Sequence, residues 1–166
     1  FIGFPTVFNL LGPIVNPSQP KCQLLGVANL DQMRLYNNVY RKIGIDYAIE
    51  NSIEGYDEIS LTGNFKITTN DYERIFSPAD IGMQQTRASE LMGGETKEDA
   101  MRIFDSVLAN TATESQKNVV ITNAAFAIQV MERGKKSIDE CIAIARESLE
   151  SGRAEETLKK FVEINN

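Results

Sequence analysis

The sequence predicts an α/β fold in which a mixed, mainly parallel sheet is flanked by helices. Residues 23–50 show a strand-helix-strand pattern, and two strand-like segments follow the turn signal Gly63-Asn64. Beyond Glu95 the composition changes to residues that favour helices. A strand-helix-strand connection favours parallel pairing, whereas a hairpin pairs its strands antiparallel. The sheet is therefore expected to be mixed.

The first unit is predicted from its apolar pattern and its flanking residues. Gln23–Val27 has the length of an interior strand, and Asn29 can cap the helix that follows. Gly44 is placed to end this helix, after which Asp46–Glu50 has the pattern of the next strand.

The remaining elements follow from the same signals. Residues 65–69 (FKITT) and 72–76 (YERIF) have strand character and suggest a hairpin, while Ser77–Gly94 has the composition of a long ordered loop. Three or four helices are expected after it, within 96–108, 114–133, 137–150 and 153–164. Ser137 and Glu140 form a Ser-x-x-Glu capping box, and Gly134 and Gly152 can terminate helices.

Length and composition predict one globular unit covering residues 1–166. Of its 166 residues 42% are apolar, and no run is long enough to cross a bilayer, so no membrane partner is expected. The net charge is −6 and the Lys and Arg residues are scattered, which argues against nucleic-acid binding. Cys22 and Cys141 form no metal-binding or disulfide pattern, so a reducing compartment, the cytoplasm, is predicted. The absence of His excludes histidine-based catalysis and histidine metal sites.

The amino-terminal segment has two predicted properties. The chain begins with Phe1 and not with Met, from which we expect a fragment of a longer protein. Gly and Pro interrupt residues 1–20, so we expect a loop, and its apolar content suggests that this loop is buried.

Two adjacent carboxylates, Asp57 and Glu58, are the candidate metal ligands. They follow Gly55 in a turn, where neighbouring acidic residues commonly form a solvated surface turn. Alternatively, they suit Mg²⁺, which binds one or two carboxylates and the phosphates of a substrate. The spacing alone leaves both interpretations open. Asn123 lies among apolar residues of a predicted helix, where an amide usually bonds across a helix–helix or helix–loop contact.

Short strings spread over nearly the whole chain carry a family resemblance. They are residues 6–13 (TVFNLLGP), 16–17 (NP), 23–27 (QLLGV), 55–60 (GYDEIS), 78–82 (PADIG), 93–94 (GG), 123–125 (NAA) and 151–154 (SGRA). Together they resemble the anthranilate phosphoribosyltransferases, which belong to a superfamily that also contains nucleoside phosphorylases.

The resemblance implies a place in the large C-terminal α/β domain of a parent enzyme of tryptophan biosynthesis. That enzyme transfers a 5-phosphoribosyl group from phosphoribosyl pyrophosphate to the amine of anthranilate, with Mg²⁺ as cofactor. It implies that Asp57 and Glu58 hold the metal and that Pro13 lines the acceptor pocket, while no residue of this chain is assigned as catalytic. The parent is expected to be a homodimer through N-terminal helices that precede this chain.

Three positions depart from the family pattern. Pro5 stands where Arg is more frequent, Glu50 occupies a strand position that is commonly apolar, and Asp99 replaces an Asn. One alternative is therefore a relative in the same superfamily with another acceptor. A second is a catalytically inactive binding fragment, because the family's glycine-rich phosphate-binding segment lies in the part that precedes Phe1. We expect the fragment alone to be inactive.

Overall fold

The structure is a computed structural model that describes residues 10–165. Pro5 and Asn9, with the rest of residues 1–9, lie outside the described residues. The strands are β1 (Cys22–Gly26), β2 (Asp46–Ser52), β3 (Phe65–Thr69) and β4 (Glu73–Phe76). The helices are α1 (Leu30–Ile43), α2 (Lys97–Leu108), α3 (Glu114–Met131), α4 (Ile138–Glu150) and α5 (Arg153–Asn165).

The four strands form one sheet in the order β1-β2-β3-β4. β1 runs parallel to β2, whereas β2–β3 and β3–β4 are antiparallel. Gly26 lies beside Glu50 in the parallel pair. The predicted α/β fold, with a mixed sheet and flanking helices, is confirmed. The expectation that the sheet is mainly parallel is wrong for the described residues, because two of the three strand pairings are antiparallel.

The two faces of the sheet bury different cores because side chains alternate along each strand. Ala48 of β2 faces a cluster that contains Phe65 and Phe126 and is covered by α3 and α4. Tyr47 and Ile49, which lie on either side of Ala48 in the sequence, face the opposite cluster, which α1 covers. Each face therefore has its own helical layer, and the sheet lies between them.

The predicted helix ends agree with the local geometry. The Asn29 side chain accepts a hydrogen bond from the Gln32 backbone at the start of α1, and Gly44 ends this helix with a φ of 79°. Ser137 and Glu140 form the predicted capping box at the start of α4. Asp99, which departs from the family pattern, is the partner of Thr96 in another capping box at the start of α2.

Two predictions about loops need correction. No residue between 10 and 20 is buried, and Val15 is 62% exposed, so the expected burial of this loop is wrong for its described part. The predicted loop from Ser77 to Gly94 contains two short 3₁₀ helices, Pro78–Ile81 and Ala88–Glu90. Within residues 10–165, no helix combines the length and the apolar character needed to span a bilayer.

Candidate functional site

The predicted acidic pair lies at the carboxyl edge of β2. Asp57 and Glu58 are exposed and follow a turn that leaves the strand after Ser52. The next residues, 59–61, are buried but form no strand, so the pair belongs to a loop that crosses the sheet edge. Exposed carboxylates above a buried support are free to bind a solvated ion.

Gly26 allows the loop to lie directly against the sheet. A Cβ atom added to Gly26 would be 1.6 Å from the carbonyl oxygen of Asp57. Since such a distance is impossible between non-bonded atoms, only glycine permits this approach. The sequence contained a signal for this contact, because glycine inside a strand often marks a close backbone approach. Gly26 is nevertheless not among the site residues that the sequence predicts.

Polar side chains at the end of β2 hold the loop of the acidic pair against this strand. Ser52 Oγ donates a hydrogen bond of 2.6 Å to the carbonyl oxygen of Glu58. The Ser52 backbone N–H donates to the Tyr56 carbonyl at 3.0 Å, and the Asn51 amide donates to the same carbonyl at 3.4 Å. These bonds connect both ends of the acidic pair to the same strand.

Helix α3 holds the other side of the loop through Asn123. Its amide Oδ1 accepts a 3.0 Å hydrogen bond from the Ile59 N–H, while Nδ2 donates a 2.9 Å bond to the Ile59 carbonyl. Both backbone groups of the residue after Glu58 are therefore satisfied by one side chain. The predicted structural role of Asn123 in a helix–loop contact is confirmed.

A third carboxylate, Glu50, is buried close to the pair. It is 4% exposed, and its Oε2 atom has no hydrogen-bond partner among the described residues. Burial, followed by the negative charges of Glu58 and Asp57, raises the pKa of Glu50 to about 8. Glu50 therefore keeps its proton at neutral pH, and the negative charge at this edge of the sheet, which would favour a cation, comes from Asp57 and Glu58.

The residues present fit a magnesium ion. Among residues 10–165, no Lys or Arg forms an ion pair with Asp57 or Glu58, so their oxygens are available. No three acidic or cysteine side chains in this part of the chain converge closely enough to hold a metal directly. Two carboxylates are nevertheless sufficient for Mg²⁺, which keeps several of its water ligands.

Pro13 lies in a different region. With Lys21 and Ile45 it lines a cavity of about 390 Å³. Lys21 and Ile45 precede β1 and β2, whereas the acidic pair lies beyond the carboxyl ends of these strands. The structure thus does not bring Pro13 into contact with the acidic pair, and its place in an acceptor pocket stays a prediction.

Comparison with known families identifies the domain. The sequence matches the glycosyl transferase family, a/b domain, over residues 1–155. The chain belongs to this family. Among the relatives of this glycosyl transferase domain, the anthranilate phosphoribosyltransferases of Phocaeicola vulgatus and Bacteroides fragilis are each 59% identical to it. The alignments cover 97% and 96% of this chain and 48% of each relative. The resemblance drawn from the motifs is confirmed.

Solved structures agree with this assignment. Anthranilate phosphoribosyltransferase from Thermus thermophilus matches the glycosyl transferase domain with a TM-score of 0.86 and 27% identity, over 96% of this chain and 48% of the other. The Saccharomyces cerevisiae enzyme in complex with PRPP and Mg gives a TM-score of 0.82 at 25% identity, over 97% and 46%. The chain spans about half the length of the relatives that it matches.

Proposed function

We propose that this chain is one part of an anthranilate phosphoribosyltransferase, within the C-terminal portion of its α/β domain. The observation that carries the proposal is the 59% identity, over almost the whole chain, to relatives of that name. A solved relative was obtained with PRPP and Mg, and another with 4-fluoroanthranilate. The substrates would accordingly be phosphoribosyl pyrophosphate and anthranilate.

The reaction would join the anthranilate amine nitrogen to C1 of the ribose as the bond from C1 to pyrophosphate breaks. A proton leaves the nitrogen and pyrophosphate is released. Since an aromatic amine is already a nucleophile, positioning and charge neutralisation can supply most of the rate enhancement. This chemistry is compatible with a chain that contains no histidine.

In this proposal Asp57 and Glu58 hold the magnesium ion. When bound, Mg²⁺ would neutralise charge on the pyrophosphate leaving group. The supporting features are the exposure of both carboxylates and the hydrogen bonds that fix their backbone, from Ser52 on one side and Asn123 on the other. Their fixed backbone would keep the ligand oxygens in place without an energetic cost at the moment of reaction.

Pro13 is proposed to form part of the acceptor pocket. It borders a cavity whose apolar lining includes Ile14, Tyr40 and Ile45. Flat apolar surfaces of this kind suit an aromatic ring. Replacement of Pro13 by Ser would then raise the KM for anthranilate while leaving the KM for phosphoribosyl pyrophosphate unchanged.

The test of the metal pair uses the full-length protein that contains this chain and the variant Asp57→Asn/Glu58→Gln. We expect turnover, followed as the loss of anthranilate fluorescence, to fall about 100-fold or more, because a catalytic metal supplies several kcal/mol and each 1.4 kcal/mol is about tenfold in rate. Asp139→Asn, an exposed change in the first turn of α4, is the control and should have no effect. Normal turnover in the double variant would refute the assignment of the metal.

A further inference from the structure

Three buried hydroxyl side chains, those of Ser52, Ser60 and Thr62, form a cluster beside the acidic pair. Ser52 Oγ donates to the Glu58 carbonyl at 2.6 Å and accepts a 3.2 Å hydrogen bond from the Ser60 backbone N–H. Ser60 Oγ and Thr62 Oγ1 are 2.7 Å apart. This hydroxyl cluster links the end of β2 to the second half of the acidic loop, residues 53–64, which connects β2 to β3.

Glu54 is the acceptor at the far end of the hydroxyl cluster. The Thr62 hydroxyl donates a hydrogen bond to Glu54 Oε2. A hydroxyl has one proton to donate, so Thr62 accepts in its contact with Ser60, and the Ser60 hydroxyl is the donor. Hydrogen bonds to a carboxylate are stronger than those between neutral groups. The Glu54 carboxylate therefore determines how the hydroxyl beside it is oriented.

The bond between Glu54 and Thr62 closes the acidic loop. Glu54 precedes the acidic pair in the sequence and Thr62 follows it. One position outside this bond, the Ile53 backbone N–H donates to the Asn64 region of the loop, with a distance of 2.9 Å to the Asn64 carbonyl oxygen. The two ends of the loop are thus joined by a backbone bond and by a side-chain bond, while the acidic pair between them remains exposed.

The backbone around this bond shows that the closed shape is specific. A Cβ atom added to Gly63 would lie 2.7 Å from Glu54 Oε1, so the carboxylate occupies the space that a side chain would need. Leu61 is fully buried and has a φ of 59°, in the left-handed region that is unfavourable for a residue with a Cβ atom. Such a conformation persists where the surrounding contacts require it. The turn at Leu61 separates Ser60 from Thr62, whose hydroxyls meet at 2.7 Å.

We infer that Glu54 is a positioning residue of the cation site, which closes the acidic loop on Thr62 and so holds Asp57 and Glu58 ready for a divalent ion. Its Oε2 atom is bonded to Thr62, and no three acidic side chains in residues 10–165 converge on one ion, so Glu54 is not a ligand. A loop that is ordered before binding lowers the entropic cost of binding. This inference rests on the metal pair of the proposed function and extends it to the residue that closes the loop.

The experiment measures Mn²⁺ binding to the full-length protein by electron paramagnetic resonance, in which free Mn²⁺ is counted directly and no turnover is needed. Glu54→Ala removes the acceptor, and Thr62→Val removes the donor at almost unchanged shape. We expect each to raise the Kd for Mn²⁺ about 3- to 10-fold, as the loss of one hydrogen bond would. The combined variant should bind no more weakly than either single variant, because both changes remove the same bond.

Two further variants separate the closing bond from the charge of Glu54. Glu54→Gln removes the charge but keeps an oxygen that can accept from Thr62, so its Kd should stay within about 2-fold of that of the unmodified protein. Glu98→Ala, the same change as Glu54→Ala at an exposed position of α2, is the matched control and should leave the Kd unchanged.

The outcomes distinguish this inference from the proposal on which it rests. If Asp57→Asn/Glu58→Gln abolishes Mn²⁺ binding while Glu54→Ala and Thr62→Val bind with unchanged Kd, the role of Glu54 is refuted and the metal pair stands. Equal weakening in Glu54→Gln and Glu54→Ala, with Thr62→Val unchanged, would show that only the charge acts and would also refute it. If the unmodified protein binds no Mn²⁺, both proposals are refuted.

Discussion

At the residue scale, the candidate site depends on the absence of a Cβ atom at Gly26 as much as on the carboxylates of Asp57 and Glu58. Gly26 lets the carbonyl of Asp57 lie where any other residue would place its Cβ. The acidic pair was found from its chemistry and its resemblance to a known motif, whereas the support below it was not. A glycine in a short strand has several common explanations, and only the fold indicates which backbone approaches it.

Replacing Gly26 with Ala tests this close approach. The new methyl group would displace the loop, because the obstacle is backbone and not a flexible side chain, and we expect a loss of about 1–3 kcal/mol in the free energy of unfolding. Urea denaturation measures the change, and Mn²⁺ affinity should fall with it. Gly93→Ala is a matched control, since a Cβ there meets nothing within 4 Å. Equal stability of the two variants would contradict the proposed contact.

Glu50 predicts a specific dependence of stability on pH. Its pKa is raised from an ordinary value of 4.5 to about 8, so the folded state retains a proton that the unfolded state has lost between these values. Stability therefore falls as pH rises through this range, by at most about 1.4 kcal/mol per pH unit from this one group. Glu50→Gln removes the contribution.

The measurement compares urea unfolding of the unmodified chain and of Glu50→Gln from pH 5 to pH 8 in buffer without divalent cations. The unmodified chain should lose stability relative to the variant as the pH increases. Parallel pH profiles would show that Glu50 ionises normally in the folded state.

At the scale of elements, helix α3 is part of the support of the site and not only of the core. Its buried face, with Ile121, Ala125 and Phe126, packs against the sheet. Asn123 interrupts this apolar sequence and reaches the loop at Ile59. The start of α4 could be predicted from its capping residues, because a cap is a local interaction between neighbours in sequence. The loop that Asn123 contacts could not, since 64 positions separate the two residues.

Asn123→Ala should therefore destabilise the chain and loosen the acidic loop. Two backbone groups of Ile59 would lose their partner, and we expect the free energy of unfolding to fall by about 1–3 kcal/mol. Hydrogen exchange at the Ile59 amide would be faster. Asn38→Ala makes the same change at an exposed position of α1 and controls for helix propensity. Unchanged exchange at Ile59 would contradict the contact.

At the scale of the whole molecule, the chain covers 48% of each of the two bacterial relatives compared above. The sheet edge with the acidic pair carries negative charge. Among the described residues, no Lys or Arg forms an ion pair with Asp57 or Glu58. Phosphate binding in the proposed reaction would then depend on the metal and on residues from the rest of the parent.

This leads to a prediction for the isolated chain. Alone it should consume no anthranilate, whereas mixing or co-expression with the remaining half of the parent should restore Mg²⁺-dependent activity, measured as loss of anthranilate fluorescence. Restored activity that disappears with Asp57→Asn/Glu58→Gln would place the metal ligands in this chain. Turnover by the isolated chain would show that its own residues bind both substrates.

The sequence by itself determined the local and periodic features: the order of strands and helices, the caps at Asn29 and Ser137, and the motif that contains Asp57 and Glu58. These depend on interactions between residues close in the chain, or on patterns that a family shares. Only the tertiary structure decided that Gly26 and Asn123 support the acidic loop and that Glu50 is enclosed beside it. The physical reason is that strand register and helix packing bring together residues distant in sequence, and this determines which backbone groups and charges are neighbours.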